Sequence, residues 1–289
     1  MSKSLVETIT EFFKPQAPLW ACELTSKHVI VAGVNSRRTQ ITDKVAADLP
    51  REVDIEAARP IVRQVLSEAG FKGSEIAVVV PDEMARIAFL TAEKPSRNPE
   101  EQLTFIRWKL KKSIPFDVDT AQVAYRILGP HRSGTAVDIL VALSPRSMVQ
   151  EYENLFESLE IHAGIVLPST LAALNLLTAP AGDTLFVKVA PDSVTTTVFQ
   201  NRRVQFYRRV TDVSLYDAVY PTVLYYQDKL GGQTFERLYV CGYDADLRGP
   251  MDDLQEKLGL APQHIEPKSV DDIYKPALGA VHLKPESVV

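Results

Sequence analysis

The sequence predicts an α/β protein of two lobes built from one duplicated unit, with a small subdomain inserted into the first lobe. Two observations carry this expectation. The phrase "NSRRTQI" at Asn35 to Ile41 returns as "QNRRVQF" at Gln200 to Phe206, an offset of 202 − 37 = 165 residues. The same offset runs back without a gap through "LWACELTSKHVIVAGV" and "TLFVKVAPDSVTTTVF". Trp20 falls on Leu185, Cys22 on Val187, Leu24 on Val189, Val29 on Val194, and Arg37, Arg38 and Gln40 on Arg202, Arg203 and Gln205. Each copy then reads as strand, polar turn, β-branched strand, tight polar turn with the Arg pair, and third strand. The Arg pairs are expected at solvated turn tips.

Along the chain, "MSKSLVETITEFFKPQAPLW" predicts a short helix with Leu5, Ile9, Phe12 and Phe13 at helical spacing, ended by Pro15 and Pro18, and docking on the body is preferred to lying on a membrane. "VDIEAARPIVRQVLSEAGFKG" places Ile55, Ala58, Val62, Val65 and Ala69 on one helical face, with Pro60 limiting the first turn and Gly70 near the end. "SEIAVVVPD" and "VDILVALSP" are continuous apolar runs and read as buried strands. "PRSMVQEYENLFESLEI" is a helix with Val149, Tyr152, Phe156 and Leu159 on one side, and "PSTLAALNLL" a helix opened by Pro168. After the second hairpin, "DVSLYDAVYPTVLYYQDKLGG" is helical, bent at Pro221 and closed by Gly231 and Gly232; "ERLYVCG" is a strand and "MDDLQEKLGL" a helix. One stretch, "NPEEQLTFIRWKLKKSIPFDVDTAQVAYRIL", has no counterpart in the second copy and reads as an insertion carrying a helix with Leu103, Ile106 and Leu110.

The expected organisation is an N-terminal helix over 1–17, a first lobe over 18–95 and 131–180, the inserted subdomain over 96–130, and a second lobe over 181–289 that returns to the first near the C-terminus. Hairpin sheet first, then helices and strands, given twice in one chain, fits the ribonuclease-H-like architecture shared by actin, Hsp70 and sugar kinases.

Bulk properties narrow the function. At 289 residues the chain is long enough for two lobes, and 45% hydrophobic with 24% charged residues is the composition of a folded globule. A net charge of −5 argues against a dedicated nucleic-acid binder. No apolar run approaches the roughly 20 residues of a membrane span, and the chain is expected to be cytoplasmic. Cys22 and Cys241 fall in apolar strand-like runs and read as buried thiols. The scattered histidines, His28, His131, His162, His264 and His282, give no metal-ligand spacing. Phosphate-loop, nucleophile-elbow and dinucleotide motifs are absent. The basic run "RWKLKKS" (Arg107, Lys109, Lys111, Lys112) reads first as a solvated helix face, with attraction for acidic lipid or peptide as the second reading.

"FIRWKLKKSIPFDVDTAQVAYRIL" resembles the helix and Ile-Pro-Phe stretch of the type IV pilus assembly protein PilM. "VDILVALSPRSMVQEYENLFESLEIHAGIVLPSTLAALNLL", "TVLYYQDKLGGQTFERLYVCG" and "MDDLQEKLGLAPQHIEP" extend the likeness over most of the chain, and secretion-platform proteins of the GspL type are close rivals. The resemblance implies an actin-like fold on the cytoplasmic face of an inner-membrane pilus or secretion machine. It also implies a partner, the N-terminal peptide of a PilN-like membrane protein, bound in a first-lobe groove near the insertion, with other pilus inner-membrane components nearby.

The superfamily's nucleotide loops are Asp-x-Gly turns, where the Asp helps hold magnesium and the Gly admits phosphate to backbone N–H groups. Here the first loop reads Glu23, Leu24, Thr25 and the second Lys188, Val189, Ala190; the adenosine Gly-Gly turn reads Gly242, Tyr243. A cation at a metal position and side chains in place of both loop glycines imply a degenerate site, with ATP and magnesium disfavoured and no catalytic residue. The alternatives are an active actin-like ATPase with altered loops, in which Lys188 contacts phosphate directly, and a sugar-kinase-like enzyme. Without a nucleotide, Glu23 and Lys188 read as strand residues paired across the interlobe cleft and Gly242 as a turn glycine.

Overall fold

A computed structural model describes residues 17–50, 54–131, 134–177, 182–243 and 247–282. The helix expected at the N-terminus lies outside them. In the first lobe, β1 (Trp20–Leu24), β2 (His28–Val34) and β3 (Ile41–Asp48) form the antiparallel start. Helix α1 (Arg59–Glu68), with Pro60 in its first turn, leads to β4 (Glu75–Val80), which pairs parallel to β1. β8 (His162–Pro168) closes the sheet beside β4, giving the order β3-β2-β1-β4-β8. The second lobe repeats it: β9 (Thr184–Ala190), β10 (Ser193–Gln200), β11 (Arg203–Val210), β12 (Arg237–Gly242) and β13 (Pro262–His264) lie in the order β11-β10-β9-β12-β13. The duplicated actin-like, ribonuclease-H-like fold expected from the repeat is the fold observed.

The gapless repeat, however, stops at the Arg pair. Val34 pairs with Ile41 and Phe199 with Val204, so the spacing is 199 − 34 = 165 before the turn and 204 − 41 = 163 after it. The first turn is two residues longer, and the matching "RR" letters occupy different places. Arg203 begins β11, whereas Arg38 sits inside the loop with φ of 59°. Arg38 is not a solvated tip either. Its guanidinium donates to the carbonyls of Ala17, Pro18 and Val281, fastening the loop to both flanks of the domain. Burial lowers its pKa. Arg203 donates from Nη1 to the Pro130 carbonyl at 2.9 Å, touching the insertion.

The inserted unit is wider than the 96–130 expected. Its sheet comprises β5 (Arg86–Ala92), β6 (Gln122–Pro130) and β7 (Val137–Ser144) in the order β5-β7-β6, with helix α2 (Pro99–Leu110) packed on it. "VDILVALSP", expected as a first-lobe strand, is the centre of this sheet. A separate core of Ile106, Leu110, Val118, Ile139, Val141 and Leu143 explains the regrouping, since β7 has an apolar face that α2 and the segment after it cover. Asn98 caps α2 by accepting from the Glu100 N–H at 3.0 Å, and Pro99 suits the first helical position.

Helices α3 (Arg146–Glu157) and α1 cover one face of the first sheet, with Val62, Val65, Tyr152 and Phe156 buried between. In the second lobe α5 (Leu215–Asp228) and α6 (Arg248–Leu258) cover the equivalent face. The other faces of both sheets meet around α4 (Ser169–Leu174) and the C-terminal α7 (Lys275–Ala280) in one core that joins Ala21, Ala77, Ala172, Phe186, Cys241 and Leu278 across the lobes. A Cβ on Gly279 would stand 2.0 Å from the Ala172 carbonyl oxygen, so only glycine lets these two helices touch.

Candidate functional site

The C-terminal ends of the parallel strands in the two sheets face each other across the cleft, the position where α/β sheets assemble sites. Glu23 near the end of β1 and Lys188 on β9 are both brought there, 0% and 1% exposed. They are not paired directly. Lys188 Nζ lies 3.8 Å from Asp82 Oδ2, in the turn after β4, and 4.8 Å above the Tyr243 ring. Asp82 also accepts from the Thr170 N–H at 2.8 Å, from Thr170 Oγ1 at 2.5 Å and, from the other lobe, Thr195 Oγ1 at 3.1 Å. Donors from both lobes thus converge on one buried side chain.

Glu23 belongs to a second knot. The Ser169 and Tyr243 hydroxyls both donate to its Oε1, and those two oxygens lie 3.0 Å apart. Its Oε2 has no hydrogen-bond partner among the described residues. Burial therefore dominates and pushes the Glu23 carboxyl up to about 7, against the opposing pull of Lys188, Ser169 and Tyr243. The Tyr243 phenol is pushed well above its usual range by burial and by Glu23. Tyr243 also stacks parallel to His28 at 6.3 Å, so a residue standing at a glycine position spans the cleft.

The turns that would hold phosphate are occupied by their own chemistry. Thr25 Oγ1 accepts from the N–H of His28 at 2.8 Å and of Lys27 at 3.2 Å, folding the β1–β2 turn onto itself. In the β9–β10 turn Ala190 is followed by Pro191, which has no N–H to offer. The two tips are joined by a hydrogen bond from Ser26 Oγ to Asp192, whose carboxylate stands at the mouth. What remains between Glu23, Asp82, Ser169, Lys188 and Tyr243 is a cavity of about 20 Å³, room for about one water. At the adenosine position, Gly242 donates its N–H to Asp272 Oδ2 at 3.2 Å. A Cβ added to Gly242 would meet the Leu247 side chain at 2.1 Å, and Gly242 and Tyr243 line a separate open hollow of about 820 Å³ with Leu247, Met251, His264 and Asp272.

Of the six residues predicted for the nucleotide loops, Glu23, Lys188 and Tyr243 converge, Thr25 and Ala190 sit in the turns above them, and Gly242 packs to one side. Sequence reasoning missed Asp82, Ser169, Thr170 and Thr195. The available signal was "VVVPD" and "VLPST", each an apolar parallel strand ended by Pro and followed by a polar residue.

A second hollow of about 320 Å³ opens on the first lobe under the inserted sheet. Its walls are Ala124 and Ala142 of the insertion, Val149 and Tyr152 of α3, and Gly164 and Leu167 of β8. It continues past Ala124 and Leu171 into a further space of about 600 Å³ reaching Phe199 and Arg203. β8 and β6 are the edges of their sheets and both line it, leaving strand edges beside the opening. No helix among the described residues is long and apolar enough to cross a membrane.

No protein-family model and no curated protein matches the sequence. Solved structures do. The chain is similar to a chain of the PilM–PilN type IV pilus biogenesis complex, with a TM-score of 0.72 at 16% identity over 94% of this chain and 100% of that one. A Bacteroides thetaiotaomicron protein with an actin-like ATPase fold matches with a TM-score of 0.56 at 10% identity over 89% and 93% of the two chains. The cytoplasmic domain of EpsL, an inner-membrane component of the Vibrio cholerae type II secretion system, matches with a TM-score of 0.54 at 12% identity over 92% and 95%. The fold is that of the actin-like proteins, and the likeness to PilM and to the secretion-platform domain falls where the sequence resemblance pointed.

Proposed function

We propose that this chain is a PilM-like scaffold of a type IV pilus or related secretion platform, cytoplasmic and held at the inner membrane by partners. It works as a binding protein with a degenerate nucleotide site. The contrast between the two hollows carries the reading. The end of the cleft expected to hold phosphate is filled by Lys188, Tyr243, Ser169 and Glu23, with about 20 Å³ left, and only the hollow beside Gly242 and Tyr243 stays open there. The apolar groove beneath the insertion is open and bordered by two strand edges. An extended peptide suits it, because the edges of β6 and β8 supply main-chain hydrogen bonds and the small residues Ala124 and Ala142 leave room for alternate side chains. The occupant proposed is the N-terminal peptide of a PilN-like membrane protein, with other inner-membrane pilus components assembling around the pair.

Lys188 has two readings, a phosphate contact or an internal counter-ion. Its position against Asp82 and the Tyr243 ring supports the second. Two titrations test the proposal. Calorimetry with magnesium-ATP is expected to give no heat of binding, and micromolar affinity would sink the degenerate-site reading. Fluorescence anisotropy with the peptide is expected to give saturable binding that Ala142→Phe weakens by about tenfold or more, since the ring fills the pocket of a buried anchor. Binding that ignores this substitution would move the peptide elsewhere.

A further inference from the structure

The end of α2 carries a surface that neither the cleft nor the peptide groove explains. Trp108 is 68% exposed, the largest such side chain on the described surface. Around it the charge is segregated: Glu100 and Glu101 lie in the first turn, and Arg107, Lys109, Lys111 and Lys112 at the end and just beyond. Lys109 Nζ sits 5.1 Å from the Trp108 ring and 5.8 Å from that of Phe105. Arg107 turns inward to the Val118 and Ala121 carbonyls at 3.0 Å, and Lys111 is neutralised by Asp119 at 2.6 Å. Lys94, Lys109 and Lys112 have no carboxylate partner among the described residues. Lys94 and Lys109 line one groove of about 590 Å³ with Phe105 and His131, in which Glu93 is the opposing charge and His131 is held by Asp138 at 2.8 Å. A chain of net charge −5 thus presents one cationic, aromatic corner.

We propose that this corner binds an anionic bilayer surface, Trp108 entering the headgroup region while Lys94, Lys109 and Lys112 meet lipid phosphates. Exposed indole beside lysine is the chemistry of the membrane interface, where the ring is apolar in body and polar at one edge. Three lysines draw it to anionic lipid alone. Nucleic acid fits poorly, because three lysines at one corner are far fewer than the phosphate contacts that following a backbone takes. The contact orients the inserted unit toward the membrane and is independent of the peptide groove.

Trp20 and Trp108 are the only tryptophans, and Trp20 is packed against Phe71, so emission reports directly on the surface. The full chain is mixed with phosphatidylcholine vesicles, with and without phosphatidylglycerol. On the anionic vesicles Trp108 emission is expected to shift to the blue and to be quenched by brominated acyl chains, both effects vanishing in Trp108→Phe. A lysine near such a surface is worth roughly fivefold in partitioning, so K109E/K112E is expected to lower it by about twentyfold or more in cosedimentation. Equal partitioning onto neutral vesicles, an unshifted Trp108, or full binding by K109E/K112E overturns the proposal. Binding of polyglutamate in place of vesicles assigns the corner to an acidic protein and overturns it as well. None of these outcomes bears on peptide binding in the groove, which has its own titration.

Discussion

The interlobe cleft and the groove beneath the inserted sheet are hollows of one fold finished in opposite ways. In the cleft, strand ends carry long or hydrogen-bonding side chains, Glu23, Lys188, Thr195 and Tyr243, which meet one another and leave about 20 Å³. In the groove the lining side chains Ala124, Ala142 and Ala163 are small, and about 320 Å³ stays open. The backbone supplies both concavities, and the side chains that line them decide which is filled and which stays open.

Substitutions can break that comparison. A binding site stores unsatisfied chemistry, so simplifying it commonly stabilises the protein. A joint behaves in the reverse way. Asp82→Ala removes the acceptor shared by Thr170, Thr195 and Lys188 and strands a buried ammonium. It is expected to cost about 3–5 kcal/mol in urea unfolding, and a stabilised variant would return the cleft to the class of ligand sites.

Glu23 gives the next effect. Its folded pKa of about 7 lies above the unfolded value near 4.5, so the native state holds a proton that the unfolded chain has released between those limits. The stabilisation is complete below about 4.5 and lost as pH rises through about 7, on the order of 3 kcal/mol in all. Glu23→Gln should flatten this dependence and be the more stable protein at high pH. An identical pH profile in the two proteins would mean that Glu23 is ionised in its pocket.

Smaller still is the contrast within the Arg-Arg pair. Arg38→Ala removes three carbonyl contacts and is expected to lower stability by about 1–2 kcal/mol in the same unfolding experiment. Arg37→Ala should stay within about 0.5 kcal/mol. Equal effects would restore the pair to the solvated tip that its spelling suggested.

What could be read in advance followed periodicity. The repeat, the β-branched run "SVTTTVF" and the amphipathic α1 and α3 are local patterns, and the duplicated fold follows from them. Glu23, Lys188 and Tyr243 were legible because they replace residues whose chemistry a nucleotide requires. Asp82, Ser169 and Thr170 were not. They follow their strands as ordinary turn residues, and only the long-range pairing of β4 with β8 brings Ser169 and Thr170 beside Asp82. The same limit explains the insertion's boundary. Nothing local to "VDILVALSP" says that it pairs with Arg86–Ala92 and not with the first lobe. Arg38 was misread because a hydrogen bond to Val281 spans 243 residues of sequence.

The passage of α4 and α7 between the two sheets has a mechanical consequence. The chain leaves the first lobe through α4 and comes back into it through α7, and the two helices touch at Ala172 and Gly279. Two crossings packed side by side, inside a core that both sheets share, join the lobes along one seam. Ser26 and Asp192 join the lobes a second time at the turn tips, so the two halves are stitched at both the buried crossing and the exposed rim.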